Sequence, residues 1–197
     1  MVCVFVDRKG TMKPSDQNPL SLSFAQQELV HSLLSLPPKI MLHHDVSGLA
    51  QLVLHELAHD HNFKLKKAIY LADNPDFDHL LGVAGYSKDD CGLHAADVWK
   101  NPSEEIGKLH ESAYSKQVRS FLQKSMKARH IDFHNKEEIE GLGKQMGLEQ
   151  PQFFSWDLKH GNHGLLIFEY LDPSAIEELK HKLLSNAAAL LGFCPIF

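Results

Sequence analysis

His55-Glu56-Leu57-Ala58-His59 is the stretch of this chain whose residue types and spacing could do chemistry. On a helix, two histidines four apart lie on one face, close enough to share a single metal ion. The glutamate between them leaves the helix about 100° away, where it can reach a metal-bound water as general base. Zn²⁺ is the expected metal, with another divalent ion as the alternative. A tetrahedral site needs a third protein ligand from elsewhere. His94 ranks first, because Ala95 and Ala96 after it allow close approach and Asp97 is placed to orient it. His79, in an aspartate-rich stretch, and Glu105, by elimination among Glu104, Glu105 and Glu111, are further candidates. His110 reads instead as a core histidine satisfied by protein groups.

Over about a dozen residues, Val53-Leu54-His55-Glu56-Leu57-Ala58-His59 resembles the active-site helix of the zincin metallohydrolases. The resemblance implies a metal-dependent hydrolase, possibly a peptidase, in which His55, His59 and His94 hold the metal and Glu56 is catalytic. The metzincin extension would need Gly at 62 and His at 65; Asn62 and Leu65 stand there. Asp60 supports a second reading, since adjacent His-Asp is similar to the centre of the HD phosphohydrolases. His31, His59, Asp60 and Asp97 would then form the site. A non-catalytic metal-binding or interaction protein with the same histidines is the third.

The elements that must position these residues follow from periodicity. Asp45 to His59 reads as a helix whose core stripe is Val46, Leu49, Ala50, Val53 and Leu57. His55 and His59 fall on the opposite side, yet no Lys or Arg occurs between Lys39 and Asn62, so both sides look covered. Ser23 to Leu36 suggests a helix ended by Pro37-Pro38, and Lys39 to Leu42 an extended link. Asn101-Pro102 opens a long helix to about Lys127, and Lys136 to Met146 a shorter one. Val2 to Val6 reads as a buried strand, and Asp73 to Tyr86 as irregular backbone or short helical turns around Asp76, Asp78 and His79. Phe153 to Leu158 and Leu165 to Tyr170 form a β-hairpin, and a last helix follows Asp172-Pro173 with Ile176, Leu179, Leu183, Ala187 and Leu190 inward. The expected fold is α+β: one domain over 1–197, with five or six helices packed on a small sheet made of the N-terminal strand and the C-terminal hairpin.

At 197 residues, 43% apolar and 23% charged, the chain is an ordinary globular protein; collagen-like, disordered and coiled-coil classes are excluded. The formal charge of −5 supplies no basic surface, so neither nucleic acid nor an anionic membrane is an expected partner. A small-molecule or peptide substrate is. Fourteen histidines make protonation near pH 6 consequential. Three widely spaced cysteines, Cys3, Cys91 and Cys194, form no disulfide framework or thiolate cage. With no signal core or membrane-length apolar run, a cytoplasmic location is expected. No P-loop, G-x-G-x-x-G or G-x-S-x-G is present.

Overall fold

The computed structural model describes residues 22–90, 98–173 and 178–195. They form helices α1 (Phe24–Leu42), α2 (Leu49–Ala58), α3 (Pro102–Glu111), α4 (Ala113–Arg119), α5 (Lys136–Gln145) and α6 (Glu178–Ala188). The strands are β1 (Leu65–Asn74), β2 (His79–Ser87), β3 (Leu122–Lys124), β4 (Gln152–Asp157) and β5 (His163–Tyr170), in one sheet of order β3-β2-β1-β5-β4. Every neighbouring pair is antiparallel. No described helix is long and apolar enough to cross a membrane.

The class is α+β, as expected, but the sheet corrects the expected one. Its centre is β1, flanked by β2 and β5, and the expected N-terminal strand Val2–Val6 lies outside the described residues. The hairpin β4–β5 is present, with Phe153 opposite Ile167 and Ser155 opposite Leu165. Asp73 to Tyr86, expected as irregular backbone or short helical turns, holds one such 3-10 turn at Pro75–Phe77 but is otherwise the end of β1 and nearly all of β2. Asn74 Oδ1 accepts from the Phe77 amide, and Asp78 adopts a left-handed φ of 54° to start the return strand. Gly82 and Gly85 are not turn residues. They let helix α4 approach the strand: a Cβ on Gly85 would lie 2.6 Å from Val118 Cγ2, and one on Gly82 would collide with the Val118 carbonyl.

Three helix boundaries also differ. α2 starts at Leu49 rather than at the expected Asp45, because Gly48 before it takes a left-handed φ of 80°. α1 runs through Pro37 and Pro38 to Leu42, although each proline removes an amide and crowds the preceding turn. Leu36 and Ile40, buried on either side of the pair, hold the helix to the core and offset that cost. The expected single helix from Asn101 to Lys127 is α3, α4 and the short strand β3. Ser112 takes an extended ψ of 142° and its hydroxyl accepts from the Ser115 amide, ending one helix and capping the next. α5 coincides with expectation, and the last helix is described from Glu178.

β1 divides the interior. Ala68 and Tyr70 face a core built with α1, α2 and α6, including Leu36, Leu52, Leu57, Phe168 and Leu184. Ile69 and Leu71 face a second core with Tyr114, Val118, Ile139 and Leu142 from α4 and α5. Burial on both faces leaves the strand without the apolar–polar alternation of a half-exposed one.

Candidate functional site

α2 begins at Gly48, whose φ of 80° is open to glycine, and a Cβ there would meet His110 Cε1 at 2.8 Å. From Leu49 to Ala58 every side chain but that of Glu56 is buried, so both sides of this helix are covered as its composition implies. His55 is 3% exposed, its ring 5.6 Å from that of Tyr86 in an edge arrangement. His59 is the C-cap: its φ of −60° is still helical and its amide donates to His55 O at 3.0 Å, whereas its ψ of 157° turns the following chain away. Because φ and the position of the amide place Cβ, His59 keeps the helical face of His55. The two rings lie 5.8 Å apart, tilted by 59°.

His59 Nδ1 is buried and, among the described residues, has no hydrogen-bond partner. Such an orphan costs about 1–3 kcal/mol unless something satisfies it. Burial, and then the neighbouring His61, whose ring lies tilted at 4.4 Å, hold the His59 pKa below the usual value. The imidazole is therefore neutral at pH 7, the form that ligates metals.

The Glu56 carboxylate points to a cleft of about 390 Å³ between α1 and the end of α2. Its side chain is 13% exposed. Trp99 Nε1 donates to Oε2 at 3.3 Å and Ser32 Oγ to Oε1 at 3.4 Å. His61 Nε2 lies 3.8 Å from Oε1. Glu28, His31, Ser35 and Lys39 continue the lining, at the three- and four-residue spacing of one face of α1. The Lys39 ammonium sits 5.3 Å over the Trp99 ring. Asn62 Nδ2 donates to the Glu56 carbonyl at 2.6 Å and closes the turn after the helix.

The structure thus sets the His55 and His59 rings 5.8 Å apart, while Glu56 points to the α1 cleft, whose lining includes His61 but neither of those two histidines. His94, with Asp97 and Cys91, lies outside the described residues. Among the described residues no group of three His, Cys, Asp or Glu side chains is placed to hold a metal ion. Asp60, which the phosphohydrolase reading needs, is turned to Lys88, whose ammonium donates to both its oxygens at 2.7 and 2.9 Å. That hydrogen bond is the main reason its carboxyl is held below the usual range. Glu105 accepts from Lys108 at 2.7 Å, and His79 is an exposed residue at the start of β2. His110 is not a satisfied core histidine: its Nε2 is likewise buried with no hydrogen-bond partner among the described residues. Sequence reading misses Ser32, Lys39, His61 and Trp99. The only available signal is the periodic polar row on α1, which ordinary solvation explains equally well.

Comparison of the chain with family models, with curated proteins and with solved structures finds no match.

Proposed function

We propose that this protein is a metal-dependent hydrolase, with zinc as the expected metal, acting on a peptide or a small acyl substrate. The observation that carries the reading is the buried, unpartnered His59 Nδ1 on the same helical face as His55. A metal ion held by these two imidazoles, completed by a ligand beyond the described residues, removes that unsatisfied atom. When bound, such a metal acidifies a water and polarises a carbonyl. Glu56 supplies the general base. Trp99 and Ser32 each donate to one of its oxygens and so aim the carboxylate at the cleft, where it takes a proton from the attacking water and returns it to the leaving group. The Lys39 ammonium and the His31 and His61 imidazoles offer donors to a carbonyl or carboxylate of the substrate along the same cleft. Among the metal readings, this one is favoured over the phosphohydrolase type by the engagement of Asp60 with Lys88.

Elemental analysis of the native protein, with His55→Ala, His59→Ala and Glu56→Gln variants, tests the reading. One equivalent of metal is expected in the native chain and in Glu56→Gln, and loss of it in either histidine variant. Glu56→Gln should lower turnover of a peptide or ester substrate by about 10²–10⁴-fold. Full occupancy in both histidine variants overturns the metal site; unchanged turnover in Glu56→Gln removes the glutamate from the chemistry.

A further inference from the structure

α1 packs on the body by one side only. At about 100° per residue, Leu29, Leu36 and Ile40 share the direction that faces the core. The opposite direction carries Phe24, Leu34, Pro38, Met41 and Leu42. Phe24 is 77% exposed, Leu34 71%, Met41 75% and Leu42 74%, so large apolar side chains stand in water at both ends and near the middle of the helix. Between stripe and core, on one flank, stand Glu28 near the start and Lys39 near the end.

From this arrangement we propose that α1 is a self-association surface whose occupant is α1 of a second copy, packed antiparallel about a two-fold axis near Leu33 and Leu34. Charge complementarity selects that occupant. In an antiparallel two-fold pair a flank meets the same flank of its partner, and residues equally far from the axis come opposite one another. Glu28 and Lys39 lie on one flank at nearly equal distances from the axis. Glu28 of each copy therefore faces Lys39 of the other, twice per dimer, whereas in a parallel two-fold pair each flank meets the opposite flank and neither charge finds its complement. The same register sets Phe24 of one copy against Met41 and Leu42 of the other and places the two Leu34 side chains together. Two polar residues, Gln27 and the exposed His31, also stand within the stripe; the Gln27 amide already donates to Leu22 O at 2.9 Å. Glu28 and Lys39 also line the Glu56 cleft, so the second copy sits along its rim.

A helix of 19 residues is about 28 Å long, and a pair of them gives an interface at the small end of the specific range, below about 1,200 Å² in total. A reversible dimer with a micromolar dissociation constant is expected. Sedimentation velocity of the full chain, from low to hundreds of micromolar, should show a shift from monomer to dimer. Leu34→Glu should raise the dissociation constant about tenfold or more without unfolding the exposed site. Glu28→Lys and Lys39→Glu should each weaken the dimer, and the two together should restore it, because only the double exchange re-pairs the charges. Mild oxidation of Leu34→Cys should give a covalent dimer linked through residue 34 of both copies. A chain that stays monomeric throughout, a dimer indifferent to Leu34→Glu, failure of the double exchange to recover association, or a 34-to-3 intramolecular disulfide would each overturn the proposal. The last would make the chain's own N-terminal segment the occupant.

Discussion

Burial lowers the pKa of His110, with Arg119 adding to the effect, while the side chain packs against Gly48 with Nε2 unpartnered. The folded chain therefore binds this proton less readily than the unfolded one, where the histidine titrates near 6.5. In the window between the two values the unfolded state holds more protons, so stability rises with pH there and is lost as pH falls below about 6.5. Denaturant melts at pH 5 and pH 7.5 check this: His110→Gln should lose less stability on acidification than the native chain, and equal losses would remove His110 as a source. Cys194 tests burial in a second way. The residue is 4% exposed, and burial pushes its thiol up to about 12. At pH 8 only about one thiol in 10⁴ is then ionised. Iodoacetamide should leave Cys194 unmodified in the native protein and label it in urea, as read by peptide mass spectrometry; rapid native labelling would contradict the buried position.

Gln51 does at the level of elements what a missing strand would do. β3 pairs with β2 only at residues 79–81, so farther along, among the described residues, the outer edge of β2 has no strand beside it. Phe121 O accepts from the Gly82 amide, and the Gln51 side chain covers Gly85, donating to its carbonyl at 2.7 Å and accepting from its amide at 3.2 Å. Ser115 Oγ, from α4, completes the network at 3.0 Å. Gln51→Leu leaves both Gly85 groups buried and unpaired, and about 2–4 kcal/mol of stability should be lost in urea melts; a loss under about 0.5 kcal/mol would mean water replaces the amide. Such long-range substitutions explain what can and cannot be read from the chain. α5 is legible because Asn135, Glu138, Ile139 and Leu142 carry cap and period within one segment. The β4–β5 hairpin is legible for the same local reason. β1 is not, since Lys66 and Lys67 interrupt its apolar run, and β2 is obscured by glycines that serve α4 rather than a turn. The site divides similarly. His55, Glu56 and His59 share one helix and its arithmetic, whereas Ser32 and Trp99 reach Glu56 from residues 24 and 43 positions away.

Across the whole molecule, β1 is the common wall of two cores, and neither core is complete without β5 beside it. Unfolding should accordingly be a single transition in which both layers are lost together. The pairing of Ile69 with Ile167, about a hundred residues later in the chain, also sets a timetable. The β1–β2 hairpin closes over the turn at Pro75–Phe77 and can form at once, whereas β5 must find its place beside β1 after the intervening helices have been made. Local pieces collapse in microseconds, and closure of this long loop places complete folding in milliseconds to seconds. Pulse-labelling hydrogen exchange should find amides of β2 protected earlier than those of β4 and β5. Until that late strand docks, one edge of β1 stands open, and the half-made sheet is a template for any other chain that arrives first.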